Sequence, residues 1–176
     1  MKITFSKGQR EDWIGIERDD GSRADTRFPH KGPVPHDAVH LFVESGFGLS
    51  RGFWGMIAEG HHPEELVEIA KLGGHASAKR AEVPSDDIVQ LLQAERLVEV
   101  FEADLWSGGS GDAAGVLDLG RTACDYSHVA MPGADTTVVD KVRGAIRAFA
   151  AQWQGVPVGQ KMCLAWPMME LANGSD

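Results

Sequence analysis

The sequence has few cysteines and no long apolar run, and each shortage excludes a class of protein. Its two cysteines, Cys124 and Cys163, form neither a Cys-x-x-Cys pair nor a zinc-binding array. We expect two reduced thiols in a cytoplasmic protein, with a single disulfide as the alternative. No apolar stretch approaches the ~20 residues of a membrane span, and no signal peptide is evident, so a soluble protein is predicted.

Basic residues are also scarce relative to acidic ones. The chain has 17 Lys and Arg against 26 Asp and Glu, a formal net charge of −9. The basic residues are scattered, whereas binding of DNA or RNA, or of an anionic membrane, needs them clustered. The sequence therefore argues against nucleic-acid and membrane partners. It leaves a small molecule as a possible partner and indicates no oligomeric state.

No nucleotide cofactor is predicted. The segment Gly109-x-Gly111-x-x-Ala114 loosely matches a dinucleotide-binding loop. That loop requires a preceding strand within a βαβ unit, and here it follows a predicted helix.

Apolar periodicity predicts an α+β fold. Alternating residues predict strands at 1–6, 13–18 and 22–28, joined as a meander by a tight turn at Asp19-Asp20-Gly21, and a closing strand at 162–166. Helical spacing predicts helices at 36–45, 63–73, 85–105 and 137–154, with weaker patterns at 52–58 and 112–126. We expect a small, mostly antiparallel sheet covered by several helices. Residues 1–169 are predicted to form a single domain, and 170–176 a frayed polar tail.

One predicted helix, beginning at His36, concentrates the polar chemistry of the chain. With about 100° per residue, His40 lies about 40° from His36, Glu44 about 80° and Asp37 about 100°. The apolar residues of this helix fall on the other arc: Val39, Phe42 and Val43. One helix face therefore presents two imidazoles and two carboxylates.

This face has the ligand types of a zinc or iron site. Two histidines one turn apart can hold one metal ion, and a carboxylate completes a two-His-one-carboxylate set. We predict His36, His40 and Glu44 as metal ligands, with Asp37 either orienting a ligand or acting as the catalytic base. The reverse assignment of the two carboxylates stays open. A water in the open coordination position would support hydrolysis.

Two alternatives use the same residues without a metal. The helix face is then either solvated polar surface or part of a metal-free pocket in a non-catalytic protein that binds a small ligand or another protein. Three aromatic residues are predicted to wall a pocket beside the histidines: Phe47, Phe53 and Trp54. Further candidate ligands are His61, His62 and Glu59.

The motifs around this helix resemble those of a family of uncharacterised bacterial proteins. The matching features are Pro-His-Asp-x-x-His-x-x-Val-Glu at 35–44, Gly-Phe-Trp-Gly at 52–55, and Pro-Val-Gly and Trp-Pro at 157–159 and 166–167. The resemblance implies a bacterial protein and no established activity. A fainter likeness, carried by His36, Asp37 and His40, is to the ubiquinone-biosynthesis accessory family, whose His-Asp-x-x-His motif is linked to a metal site. In that family a more distant glutamate completes the motif, whereas Glu44 comes too early and Glu59 too late.

Overall fold

Three strands near the beginning of the chain and a fourth at Lys161–Ala165 pair into one antiparallel sheet. The structure, a computed structural model, describes residues 1–29, 32–70 and 84–167. Within these ranges four strands form an open sheet in the order β3-β2-β1-β4: β1 Lys2–Ser6, β2 Glu11–Glu17, β3 Arg23–Pro29 and β4 Lys161–Ala165. The predicted α+β class is confirmed, with the meander and the closing strand in one sheet.

One face of this sheet is buried and the other is open. Ile3 pairs with Ile16 and Phe5 with Ile14, and these four side chains are buried under the helices. The alternation arises because successive side chains of a strand point to opposite faces. The open face carries the cross-strand pair Trp13 and Arg27, in which the guanidinium lies 4.2 Å from the indole ring centroid.

The helices begin and end close to the predicted positions. In the described ranges there are six α-helices: α1 His36–Phe47, α2 Phe53–Ala58, α3 Pro63–Ala70, α4 Val89–Trp106, α5 Ala113–Tyr126 and α6 Thr136–Gly155. A 3₁₀ turn, Asp86–Ile88, leads into α4. Asp112 and Asp135 cap α5 and α6 by accepting backbone N–H groups of the first turn. The predicted end of α3 near residue 73 and the predicted tail at 170–176 lie outside the described residues.

Helix α1 lies in the interior of the protein. It packs against α4 and α6, and every residue from Ala38 to Glu44 is buried. Its contact with α6 is close, because a Cβ added to Gly46 would lie 2.3 Å from Cγ2 of Val142. The predicted polar face of α1 is therefore packed against protein at His40 and Glu44, and the alternative of a solvated face is wrong there.

Buried charges tie neighbouring elements together around α1. Arg143 of α6 donates two hydrogen bonds, of 2.8 and 2.6 Å, to the Asp104 carboxylate of α4, and each side chain is only 8% exposed. Arg18, just after β2, donates to the carbonyl oxygens of Ile57 and His61. These bonds attach the β2–β3 hairpin to the connection between α2 and α3.

Both cysteines are free thiols, Cys124 buried and Cys163 exposed on β4. No helix in the described ranges is both long and apolar enough to cross a lipid bilayer.

Candidate metal centre

The two histidines of α1 meet a glutamate of α4. His36 and His40 are one turn apart, with ring centroids separated by 4.9 Å. One ligand atom from each of His36, His40 and Glu95 lies within 4.8 Å of the others. With metal–ligand bonds of about 2.0–2.2 Å, atoms around one ion lie about 3–4 Å apart, so small side-chain rotations would close this group on an ion. The three residues can therefore hold a metal ion.

Glu44 contacts His40 from the other side of its ring. The His40 Nδ1 lies 3.0 Å from Glu44 Oε1, while its Nε2 lies 3.6 Å from Glu95 Oε1. The second oxygen of Glu44 accepts the backbone N–H of Trp54 at 3.0 Å. Because Glu44 is fully buried and acts as an acceptor, it favours a proton on Nδ1 and turns Nε2 toward Glu95. Glu44 thus touches the centre without being one of the three grouped residues.

His36 has a similar carboxylate partner. Its Nδ1 lies 3.0 Å from Glu102 Oε1, and its side chain is 45% exposed, so it is the more accessible of the two histidines. Glu95 and Glu102 are two turns apart on α4. One helix therefore supplies both histidines and the facing helix supplies a carboxylate to each of them.

The motif on α1 gives no indication of Glu95 or Glu102. A helical wheel of α4 indicates only that both carboxylates lie near its buried side, because at about 100° per residue Glu95 and Glu102 lie about 40° and 20° from Leu91. Leu91 and Val98 lie in the middle of the buried side of that helix. A carboxylate inside an apolar arc indicates a polar or charged partner on a neighbouring element, since a buried carboxylate needs one.

Burial and charge act in opposite directions on three ionisable groups of α1: His40, Asp37 and Glu44. Burial raises the pKa of the Glu44 carboxyl, and the contact with His40 offsets this in part. Burial lowers the pKa of His40, but the carboxylates of Glu95, Glu44 and Asp37 outweigh it and raise the pKa to about 9. Burial raises the pKa of the Asp37 carboxyl, partly offset by His36 and His40. Without a metal, His40 is therefore a buried imidazolium at neutral pH.

A cleft of about 480 Å³ leads to this centre. Residues of β3, α1, α2, α3 and α4 line it, and among them are His36, Asp37 and Phe53. Phe53 also packs on the His40 ring, at 5.3 Å between centroids. Asp37 is anchored through its backbone carbonyl, which accepts the indole N–H of Trp54 at 2.8 Å. Water and small molecules can thus approach the centre from the side of His36 and Asp37.

The other residues singled out by the sequence have different surroundings. Trp54 is fully buried in the core, and Phe47 packs against Phe101 at 5.9 Å between ring centroids. Glu59 pairs with Arg51, and His61 Nδ1 lies 3.5 Å from the carboxylate of Glu65. His62 Nδ1 accepts the backbone N–H of Glu64.

No family model matches the chain, and no curated protein or solved structure shows a significant match to it. The case for a function therefore depends on the chemistry of this centre.

Proposed function

We propose that the protein is a metal-dependent enzyme of the hydrolase type, with zinc or iron held by His36, His40 and Glu95. The observation that carries the proposal is the convergence of these ligand atoms within 4.8 Å beside an open cleft. Two imidazoles and one carboxylate form a ligand set used for zinc and for non-haem iron, and they leave coordination positions for water and substrate.

Glu44 and Glu102 are proposed to orient the two histidines. Each lies 3.0 Å from the Nδ1 of its histidine, the arrangement in which a carboxylate fixes the tautomer and ring orientation of a metal-binding imidazole. We prefer this role for Glu44 over the ligand role predicted from sequence, because both of its oxygens already contact protein donors.

Asp37 is proposed to be the base. It lines the cleft next to His36 in a partly buried position that raises its pKa toward the range useful for proton transfer. A bound dication lowers the pKa of a coordinated water to about 7, and Asp37 would accept the proton that this water releases.

Metal analysis of the purified full chain tests the proposal. We expect one zinc or iron per chain after dialysis, and a Co²⁺ derivative whose visible absorbance reports nitrogen and oxygen ligands. His36→Gln and Glu95→Gln should each weaken binding at least about tenfold. Glu59→Gln is the matched control, because Glu59 pairs with Arg51. Absence of stoichiometric metal, or equal affinity in all three variants, would refute the proposed site.

Hydrolysis is measured separately on activated esters and amides. The zinc-loaded or iron-loaded protein should turn over a substrate that the chelated protein does not, and Asp37→Asn should reduce kcat by about 10²–10⁴-fold, the usual contribution of a positioned base. Stoichiometric metal without any metal-dependent turnover would overturn the hydrolase assignment and leave a structural metal site.

A second candidate function is binding of a small ligand without metal or catalysis. It is supported by the raised pKa of His40, since an imidazolium between Glu44 and Glu95 satisfies the buried carboxylates with no metal present. This candidate requires that chelators leave the melting temperature unchanged and that NMR detects protons on both His40 nitrogens at pH 7.

A further inference from the structure

The charged side chains that face the cleft are acidic. Asp37, Glu64 and Glu102 line it. Arg27 also borders the cleft, but its guanidinium lies over the Trp13 ring and 3.3 Å from Glu11, on the open face of the sheet. Besides the His36 imidazole, which pairs with Glu102, the described part of the cleft therefore presents carboxylates and no Lys or Arg side chain directed into it.

Aromatic walls accompany these carboxylates. Phe28 and Phe53 line the inner part of the cleft, and Trp106, 69% exposed, stands at its edge. The Trp106 indole packs against Gly32, because a Cβ added to Gly32 would lie 3.3 Å from Trp106 Nε1. Aromatic faces attract cations through their quadrupole, and nearby carboxylates add a Coulomb attraction of their own.

We infer that the cleft binds a small organic cation, an amine attached to an apolar or aromatic arm. This inference names the substrate class of the proposed hydrolase. It rests on that proposal for the reaction, whereas binding of the cation does not depend on it. A volume of about 480 Å³ lies in the range of small-molecule sites and accommodates one ring with a short arm.

A bound metal would not reverse this preference. The two charges of a dication are outnumbered by the carboxylates of Glu64, Glu95 and Glu102 alone, without Asp37 and Glu44, whose pKa values are raised by burial. Anionic groups such as phosphate esters and free carboxylates would meet a negative potential at the entrance, whereas an ammonium group would be drawn in.

Three probes with the same ring and arm isolate the effect of charge: 2-phenylethylamine, 2-phenylethanol and 3-phenylpropionate. Binding is followed through the indole N–H resonance of Trp106, which Trp106→Phe assigns. We expect the amine to bind about tenfold or more tighter than the alcohol, equivalent to about 1.4 kcal/mol, and the acid to bind weakest. Because surface charges are screened by salt, 0.5 M salt should shrink the difference.

Two variants test which residues of the cleft recognise the amine. Glu64→Gln should reduce the preference for amine over alcohol by about threefold, as expected for the loss of one exposed charge beside the ligand. Glu65→Gln, one residue along the same helix and outside the cleft lining, is the control and should leave the preference unchanged. Trp106→Ala, which lacks the reporter resonance and is therefore titrated by calorimetry, should weaken the amine and the alcohol together, because it removes the shared ring contact.

Repeating the titrations on chelated and on zinc-loaded protein separates this inference from the proposed function. Amine binding in a protein that takes up no metal supports the inference and defeats the hydrolase proposal. Metal binding with equal affinity for amine and alcohol defeats only the inference. The inference is also overturned if the acid binds as tightly as the amine, or if no probe shifts the Trp106 indole resonance at millimolar concentration. It is overturned likewise if Glu64→Gln and Glu65→Gln show the same preference for amine over alcohol.

Discussion

His40 and Glu44 are one helical turn apart on α1, and the 3.0 Å contact between their side chains is closed to solvent on both sides, with exposures of 1% and 0%. On a helix surface such a pair contributes only about 0.3–0.5 kcal/mol. Here α4 and α6 enclose the helix, so neither group can exchange its partner for water. The contact therefore fixes the orientation of the His40 ring and, together with the charge of Glu95, raises its pKa.

Glu44→Gln should lower zinc affinity about 10–100-fold, the usual effect of removing a carboxylate that orients a ligating histidine. Glutamine keeps the size of the side chain and an acceptor oxygen, but it loses the charge. Competition with a chromophoric chelator measures the change, with Glu59→Gln as the control. Wild-type affinity would contradict the orienting role, and a loss beyond about 10³-fold would identify Glu44 as a direct ligand.

Zinc affinity should rise about tenfold per pH unit between pH 6 and 8 and level off near pH 9. The reason is that the pKa of His40 is raised to about 9, so a metal ion must displace a proton from its ring below that pH. Titrations in weakly coordinating buffers measure the slope. A pH-independent affinity would show that His40 is not a ligand.

The metal-free protein should become less stable as the pH rises from about 7 through 9. The pKa of His40 is about 9 in the folded state against 6.5 in a model compound, so its favourable contribution is complete below about pH 6.5 and is lost as the pH rises through 9. The loss should be on the order of 2–3 kcal/mol. Urea unfolding with chelator at pH 6.5, 8 and 9.5 measures it, and a flat or rising free energy of unfolding would contradict the raised pKa.

Gly52→Ala should destabilise the protein by about 1–3 kcal/mol and weaken metal binding, because the Cβ of the new alanine would overpack a filled site. That Cβ would lie 2.5 Å from Cδ of Glu44 and 2.6 Å from its Oε2. The backbone itself tolerates alanine, since φ is −74°. Gly144→Ala is the control: its Cβ meets nothing within 4 Å, so it should stabilise α6 by up to about 1 kcal/mol. Equal effects of the two substitutions would contradict the close approach of Gly52 to Glu44.

Asp104→Asn should cost about 3 kcal/mol of folding free energy, because it leaves the nearly buried guanidinium of Arg143 with only the exposed carboxylate of Asp140, 3.8 Å away, as a charged partner. The matched substitution Glu17→Gln removes one member of an exposed pair with Arg23 and should change stability by less than about 1 kcal/mol. Thermal or urea unfolding compares the two. Similar costs would show that the buried pair contributes no more than the exposed one.

The sequence predicted the architecture well because most of its elements bury only one side. Ile3 and Phe5 alternate with polar neighbours, and the pattern at residues 112–126 proved sufficient for α5. Helix α1 departs from this rule, since it is buried on opposite sides. A helical wheel identified its polar arc correctly but could not distinguish a polar arc in water from one packed against α4.

The sequence predicted only the part of the candidate centre that lies on a single helix. His36 and His40 come together through one turn of one helix, which sequence spacing determines. Glu95 reaches them from a different helix through the packing of α4 on α1, and no local pattern specifies that packing. The burial of Glu44, which changes its proposed role, has the same origin.

The position of β1 between β2 and β4 affects how the chain reaches its fold. Its partner β2 follows after a short turn, whereas Thr4 meets Cys163 across a separation of 159 residues. Pairing over such a distance costs much more loop entropy than closing a hairpin, and contacts of this kind slow folding. During synthesis the edge of β1 that pairs with β4 would remain unpaired while β2, β3 and α1 form. Substitutions in β4 would then change the time for which that edge is open to other chains, and with it the tendency to aggregate, even where the finished protein is equally stable.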